Sequence, residues 1–272
     1  MTLRLFVDAP LSAGGELALP AAAARHAQVR RVQPGDTLVL FDGSGHDWPA
    51  QVLQMGRQQV QVRLGSPQAV QRELPWAVTL ALAVPANERM DMLVEKATEL
   101  GVDRVQPLLS ERSVLRLGGE RAGRKREHWQ AVAVAACEQS GRAQVPVVAP
   151  LKPLGLWLQS LPPLSVLSAS APGVAAANGL TPSQRWLLSL QPGAPALATQ
   201  AAGALAAGAT TPGRNTLCSL SGPEGGLTAD EEQAARAAGF VAVHLGPRVL
   251  RAETAPLAVL AWLALQAPVF TG

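Results

Sequence analysis

From Trp76 onward the chain alternates apolar runs with segments of helical periodicity, and this alternation restricts the fold more than any other feature. The run AVTLALAV at 77–84 is continuously apolar, which is typical of a strand covered on both faces. The segment RMDMLVEKATELG follows with apolar residues at helical spacing and stops at Gly101. Repeated alternation of this kind predicts an α/β fold with a parallel sheet and helices on both faces.

Further elements continue the pattern, with two interruptions. VDRVQPLLS, VPVV, RWLLSL, TLCSL and VAVHL predict strands, and REHWQAVAVAACEQS predicts a helix. The stretch 155–182 is rich in proline and serine and predicts a loop insertion. The stretch 194–213 is rich in alanine and glycine, and its glycines weaken a helix prediction. The roles of both stretches stay open.

Residues 1–72 have a different pattern. LRLFV, DTLVLF and VQVRL are short runs of strand formers separated by turn signals. In the last of these, Val60, Val62 and Leu64 share one face, as in a half-buried strand. A small β-barrel is the natural closure for several short strands. We therefore expect a β-barrel domain over 1–72 and an α/β domain over 73–272.

The composition indicates where in the cell the protein resides and whether it binds a metal. The 272 residues are 48% apolar, enough for a sizeable core, and the two cysteines are too few for a disulfide framework. Cys137 and Cys218 fall in apolar segments and are predicted to be core residues. The most apolar stretch contains two prolines and is shorter than the ~20 residues of a membrane span. We therefore expect a cytoplasmic protein that is not associated with a membrane. We also expect no metal site, because no histidine–cysteine cluster has the spacing of metal ligands.

The stretch SGPEGGLTADEE, residues 221–232, has the layout of a ligand-binding loop. It follows the strand TLCSL, so it leaves the carboxyl edge of the sheet, where ligands bind in such folds. Thr228 and Glu231 match a capping box that would pin the following helix. The glycines at 222, 225 and 226 would let a ligand approach the main chain. A glycine turn with no ligand is the alternative.

The negative charge of Glu224 restricts which ligands this loop would bind. The glycine spacing fits neither the dinucleotide motif nor the phosphate loop, and no lysine or arginine follows to meet a phosphate. At an effective dielectric constant of ~20, two like charges ~4 Å apart repel by roughly 4 kcal/mol. A polyphosphate is therefore disfavoured, and a nucleoside that carries positive charge suits the loop better.

The stretch LGPRVLRAETAPLAVLAWLALQ places three charges at the start of a very apolar helix. Thr254 is the predicted cap of this helix, with Pro256 in its first turn. Charges beside a buried helix must be paired or hydrogen-bonded. Arg251 and Glu253 would either pair to hold the loop or contact a ligand directly, and both interpretations stay open.

Arginine supplies most of the positive charge, and part of it is clustered in two stretches. The formal net charge is only +3, but RHAQVRR and RAGRKREHW concentrate arginine, which suits bidentate contacts with phosphate. Ordinary solvated surface is the alternative for either cluster. The distribution is compatible with nucleic-acid binding without requiring it.

Five segments in order, EKATELGV, SERSV, EQSGRAQVP, SGPEGGLTADE and LGPRVLRAETA, resemble the motifs of the 16S ribosomal RNA (uracil-N3)-methyltransferases of the SPOUT class. The resemblance covers the chain from RLFV to the last helix, outside the two insertions. It implies an N-terminal PUA-like β-barrel and a C-terminal parallel sheet tied in a trefoil knot. It also implies S-adenosyl-L-methionine as cofactor, a homodimer, and methylation of N3 of a specific uridine in 16S ribosomal RNA of the small ribosomal subunit.

Carried over by motif, the resemblance assigns site residues. The cofactor-binding positions are Leu220, Ser221, Gly222, Pro223, Glu224, Gly225, Gly226, Leu245, Gly246, Arg248, Leu250, Arg251 and Thr254. Candidates for removing the N3 proton are Glu253 and Glu111, of which Glu111 could equally be a surface carboxylate. Arg112 or Arg251 would stabilise the developing uracil anion.

RNA capture is assigned to the barrel, through Arg25, His26, Arg30 and Arg31. Beyond the barrel, Arg89 is a further candidate, as are residues 124–126. Two departures from the motifs, ANERMD before the first helix and the divergent region before GPEGG, leave substrate contacts and the methionine end of the cofactor pocket open. The alternatives are the same fold acting on another RNA site or atom, and a non-catalytic RNA-binding protein.

Overall fold

The computed structural model describes residues 2–57, 59–86, 89–114, 118–164, 184–201 and 215–267. They divide into two compact units. Among the described residues, one unit contains those up to Glu73 together with residues 133–145, and the other contains Leu74–Val132 and residues 146–267. The domain boundary between residues 72 and 73 stays a prediction, and the first unit includes a distant segment that this boundary leaves out.

The first unit is built on a mainly antiparallel sheet. Its elements are β1 (Arg4–Phe6), β2 (Glu16–Ala18), α1 (Ala21–Val29), β3 (Thr37–Phe41), β4 (His46–Met55), β5 (Val60–Leu64) and β6 (Gln68–Ala69). The strand order is β1-β3-β4-β5-β2 with β6 beside β4, and β1 runs parallel to β3. Alternate residues of β5 are buried against the small residues of α1, as the period-two pattern predicted.

Residues 138–144, which we call the clasp, add a second core and a set of polar contacts to this unit. Cys137 and Ala143 pack against Phe41. The Arg142 guanidinium forms a buried bidentate ion pair with Glu73, with 3.1 Å between Nε and Oε1. The Phe6 N–H donates to Glu138 Oε1 at 3.0 Å. The clasp therefore ties a distant segment to the N-terminal sheet.

The second unit is a parallel sheet, as predicted. Its elements are β7 (Trp76–Ala83), α2 (Arg89–Glu99), β8 (Arg104–Leu109), α3 (Gly119–Ser140, whose last residues fall in the first unit), β9 (Val147–Val148), β10 (Lys152–Pro153), α4 (Leu154–Gln159), β11 (Gln184–Leu188), β12 (Asn215–Ser221), α5 (Ala229–Ala237), β13 (Val241–Val243) and α6 (Thr254–Gln266). The strand order is β10-β8-β7-β12-β11-β13, with β9 beside β8, and the pairings are parallel.

Helices cover both faces of this sheet. Cys218 and Leu220 of β12 pack in one cluster with Trp157 of α4 and Ala235 of α5. Side chains alternate along a strand, so Leu217 points to the opposite face. There α6 contacts β12 and α2. The predicted α/β architecture is confirmed, whereas the trefoil knot stays a prediction.

Two local predictions were wrong. The stretch 155–182 is not simply a loop, because Leu154–Gln159 forms α4, whose Leu154, Trp157 and Leu158 are buried at helical spacing. Thr254 does not cap α6: Glu253 takes that position without a side-chain bond, since the Thr254 N–H already donates to the Arg251 carbonyl at 3.0 Å. Residues 165–183 and 202–214, which contain most of the two interruptions, lie outside the described residues. None of the described helices is long and apolar enough to cross a membrane.

Candidate functional site

A cavity of about 560 Å³ lies at the carboxyl ends of three adjacent strands of the parallel sheet. Leu188–Gln191 after β11, Ser221–Leu227 after β12 and most of residues 245–252 after β13 form its walls. The sequence placed the second of these segments at this edge, and the family resemblance assigned the second and third to one site; the structure brings them together. We call residues 221–227 the glycine loop.

The glycine loop folds back on itself so tightly that one position admits only glycine. A Cβ at Gly222 would lie 2.8 Å from the carbonyl carbon of Gly226 and 2.8 Å from the nitrogen of Leu227. Gly226 has a φ of +68°, and its N–H donates to the Pro223 carbonyl at 2.8 Å. All seven residues of the glycine loop line the cavity.

The start of α5 fixes one end of the glycine loop. The predicted capping box is present: Thr228 Oγ1 accepts from the Glu231 N–H at 3.3 Å, and Glu231 Oε2 accepts from the Thr228 N–H at 2.9 Å. The other oxygen of Glu231 accepts from the Glu111 N–H at 2.8 Å. Glu231 thus joins the segment after β8 to the segment after β12.

Arg112 lies across the same loop. Its Nη1 donates to the Gly225 carbonyl at 2.8 Å and to the Leu227 carbonyl at 3.4 Å. Arg112 lines the cavity, whereas the neighbouring Glu111 is exposed and is not among the lining residues. The guanidinium predicted to face a substrate is therefore bonded to the loop itself.

Glu224 does not present a free negative charge, contrary to the reasoning that favoured a cation on its account. Its Oε1 accepts from the Ala86 N–H at 3.0 Å and from Arg89 Nη1 at 3.2 Å. Arg89, for which an RNA contact stays a prediction, lines the cavity. The carboxylate is compensated by an arginine 135 residues away, a pairing that sequence spacing does not reveal.

The residues from 245 onward divide into those that line the cavity and those that do not. Leu245, Gly246, Arg248, Leu250 and Arg251 line it. Thr254, which is exposed, and Glu253, which is buried, do not line the cavity. Leu220, another predicted cofactor contact, is buried in β12 and does not line it either. Of the two interpretations of Glu253, an ion pair is observed, but with Arg89 at 3.5 Å.

Sequence reasoning missed the wall formed by Leu188–Gln191. Ser189 Oγ donates to the Glu232 carboxylate at 2.9 and 3.1 Å and accepts from the Gln191 N–H at 3.1 Å. Arg236 also pairs with Glu232, at 3.2 Å. The signal was available, because RWLLSL was a predicted parallel strand and its carboxyl end must reach the same edge.

Some charged and hydrogen-bonding groups that line the cavity remain available to a ligand. Glu224 and Glu232 are both paired with arginines, whereas Arg248 and Arg251 are exposed and take part in no ion pair within the described residues. Ser221 lines the cavity, and its buried hydroxyl has no hydrogen-bond partner in the described part of the chain. A buried polar group without a partner is costly, so a polar ligand would relieve it. The cavity thus suits a nucleoside that needs main-chain contacts and a hydroxyl, beside excess positive charge.

The remaining predicted residues lie in the first unit. Arg25, Arg30 and Arg31 are exposed on and after α1. His26 is half-buried, and its Nδ1 lies 3.3 Å from Glu138 Oε2. The described residues contain no cluster of three or more His, Cys, Asp or Glu that could hold a metal. Cys137 and Cys218 are core residues, as predicted, and burial raises the pKa of each thiol to about 12.

Comparison with known proteins defines the class. A sequence profile described as RNA methyltransferase domain matches residues 72–264, and one described as RNA methyltransferase PUA domain matches residues 19–65. The parallel sheet with its edge cavity, following a small β-rich unit, is thus the architecture of an RNA methyltransferase with a PUA domain.

Individual relatives narrow this class. The chain is 33% identical to ribosomal RNA small subunit methyltransferase E of Synechocystis, over 86% of this chain and 67% of the relative. The crystal structure of the Neisseria gonorrhoeae protein of that name, bound to S-adenosylmethionine, is 33% identical and covers 98% of both chains with a TM-score of 0.81. A Legionella pneumophila methyltransferase in complex with the same cofactor is 27% identical, with the same coverage and TM-score. The chain belongs to the ribosomal RNA small subunit methyltransferase E family.

Proposed function

We propose that the protein binds S-adenosylmethionine in the edge cavity and methylates N3 of a specific uridine in 16S ribosomal RNA, on the small ribosomal subunit or its precursor. The observation that carries this proposal is the cavity itself. It is formed by the glycine loop and the 245–252 segment, in a chain that covers 98% of a relative solved with this cofactor.

Residues of the cavity fit such a cofactor. Main-chain groups of the glycine loop and of Leu245, Gly246 and Leu250 would hold the adenosine, and the Ser221 hydroxyl would gain a partner. When bound, the cofactor supplies a methyl group on a positively charged sulfur. Thr254 and Leu220 would support this binding from outside the lining, through the ends of α6 and β12.

The protein's own task is to orient the uracil and to accept its N3 proton. Positioning alone accounts for a large share of such a rate enhancement, and a base adds about 10²–10⁴-fold. Arg251, exposed and free of ion pairs within the described part of the chain, would stabilise the negative charge on the uracil oxygens. Arg112 would act mainly through the glycine loop that it holds.

The base is proposed from two carboxylates. Glu253 is buried and paired with Arg89, and Glu111 is exposed at the same edge of the sheet. The pH–rate profiles of Glu253→Gln and Glu111→Gln distinguish them: the base variant loses turnover and the acidic limb of the profile, whereas the other variant keeps that limb. If both variants keep that limb, neither carboxylate is the base.

RNA binding is proposed for the first unit. The exposed Arg25, Arg30 and Arg31 would contact phosphates, and His26 would assist at the edge of this patch. The homodimer, the trefoil knot and the cytoplasmic location stay predictions from the family resemblance.

The deciding experiment maps the product. Small subunits and naked 16S RNA that lack the modification are incubated with the protein and S-adenosylmethionine, and the RNA is digested for mass spectrometry. The proposal expects one N3-methyluridine, which also stops reverse transcription because N3 takes part in Watson–Crick pairing. A methyl group on a ribose or on another base would redirect the assignment, and cofactor binding without any methylated product would favour a non-catalytic RNA-binding protein.

A further inference from the structure

Arg89 stands between two carboxylates that belong to two different segments at the cavity. Its Nη1 lies 3.2 Å from Oε1 of Glu224 in the glycine loop and 3.5 Å from Oε2 of Glu253 at the start of α6. Arg89 itself is the first residue of α2. The Arg89 guanidinium, on the segment that follows β7, therefore contacts the segments that follow β12 and β13.

Burial makes this contact consequential for Glu253. The side chain of Glu253 is only 8% exposed, and its Oε2 is buried without a hydrogen-bond partner. A buried carboxylate without compensation is strongly unfavourable. Within the described residues, Arg89 is the ion-pair partner of this carboxylate.

The same connection holds Glu224 from a second direction. The Ala86 N–H, just before α2, donates to the Glu224 oxygen that Arg89 also contacts. The glycine loop is thus attached to the segment after β7 by a main-chain bond and by a charge. Arg89 additionally offsets the negative charge that Glu224 would otherwise bring to the cavity lining.

We propose that Arg89 is a positioning residue that fixes the spacing of the glycine loop and the start of α6 through Glu224 and Glu253, and that offsets one of their two negative charges. The inference rests on the proposed function, because it assigns Arg89 to the cofactor site and not to RNA. Without Arg89, the two carboxylates lose the cation that they share, so the loops separate and this side of the cavity becomes more negative.

The test compares two ligands that differ in charge. S-adenosylmethionine carries a sulfonium cation, whereas the sulfur of S-adenosylhomocysteine is neutral. Calorimetry with Arg89→Met is expected to show about tenfold weaker binding of S-adenosylhomocysteine. The loss for S-adenosylmethionine is expected to be several-fold smaller, because the uncompensated carboxylates attract its cation. A purely structural lesion would weaken both ligands equally.

Rescue gives the second readout. Glu253→Gln added to Arg89→Met removes one of the two unpaired charges, so it is expected to restore part of the affinity and to narrow the difference between the ligands. Arg89→Lys, which keeps the charge, is expected to fall between wild type and Arg89→Met and also serves if Arg89→Met does not fold. Arg121→Met, which removes an exposed arginine charge from α3, is the matched control and is expected to bind as wild type does.

The failure of this inference is distinguishable from failure of the proposed function. Wild-type affinities in Arg89→Met, or a double variant whose losses simply multiply, overturn the role of Arg89 while leaving cofactor binding intact. If the wild-type protein binds neither ligand, the proposed function fails. Thermal unfolding without ligand then still tests whether Arg89 compensates the charge of Glu253. A higher melting temperature for the double variant than for Arg89→Met supports this compensation, and an equal or lower melting temperature overturns it.

Discussion

The clasp and the glycine loop are both motif-like segments around a glycine, yet they use their polar groups in opposite ways. In the clasp, Arg142 is paired with Glu73, Glu138 accepts the Phe6 N–H, and the Gly141 carbonyl accepts from Arg72 at 2.6 Å. Within the described residues, the buried Ser221 hydroxyl of the glycine loop has no hydrogen-bond partner, and Arg248 and Arg251, which line the same cavity, take part in no ion pair. The clasp pairs its charged groups with protein partners, although its Ser140 hydroxyl is also buried without one, whereas the glycine loop lines a cavity that a ligand can enter.

This difference separates support from function where sequence motifs do not. Both segments contribute to the family resemblance, and neither composition nor spacing tells them apart. Charged groups that are already paired inside the protein have little left to offer a ligand, whereas an unpartnered polar group that lines a cavity carries a cost that binding can relieve. Changes in the clasp should therefore affect stability, and changes in the glycine loop should affect binding.

The largest expected effect is on the clasp. Arg142→Ala leaves the Glu73 carboxylate buried without its partner, which costs about 3–5 kcal/mol in the free energy of unfolding. Urea unfolding measures this loss. The control is Arg63→Ala, which breaks an exposed pair with Glu16 and should cost less than about 1 kcal/mol. Equal losses in the two variants would remove the distinction between a buried network and ordinary surface pairs.

The next effect is on the glycine loop. Gly222→Ala forces a Cβ against main-chain atoms 2.8 Å away, and overpacking of this kind costs about 1–3 kcal/mol. If the strain is borne by the loop, S-adenosylmethionine affinity falls by roughly 5–150-fold. Calorimetry measures it, with Gly118→Ala as the control because a Cβ there meets nothing within 4 Å. A Gly222→Ala protein that binds as tightly as wild type would show that the observed turn is not the binding conformation.

A smaller effect is expected where the glycine loop meets α5. Glu231→Gln weakens one of two main-chain bonds, to Thr228 or to Glu111, and loss of a cap contact costs about 1 kcal/mol. We expect a matching drop in the free energy of unfolding and a few-fold weaker cofactor binding. Asp230→Asn, in the same helical turn but exposed, changes the same charge without a cap bond. If the two variants match, the helix dipole and not the bond is responsible.

The smallest expected effect is on the reactivity of two buried cysteines, one beside the clasp and one in the strand that leads to the glycine loop. Because burial raises the pKa of Cys137 beside the clasp and of Cys218 in β12 to about 12, both thiols stay protonated at pH 8. Iodoacetamide should modify neither in the folded protein, as intact mass would show. The raised pKa values stabilise the folded state below about pH 9, and this contribution is lost as the pH rises from about 9 toward 12. Rapid labelling of one thiol at pH 8 would mean that its region opens.

Much of the local structure followed from the sequence. The alternation after Trp76 predicted the parallel sheet, and Thr228 with Glu231 predicted the capping box. Both depend on residues a few positions apart, whose geometry is fixed once a strand or helix forms. The position of the glycine loop at the carboxyl edge followed in the same way, from strand direction alone.

What only the tertiary structure decided is which distant groups meet. Arg89 and Glu224 are separated by 135 residues, and Arg142 and Glu73 by 69. Ser189 reaches Glu232 only because β11 lies between β12 and β13 in the sheet. The sequence by itself determined periodicity, caps and the edge at which loops emerge, since these are properties of short segments. Strand order and loop path determined the charge pairs, and with them whether Glu224 faces a ligand as a free anion or as half of an ion pair.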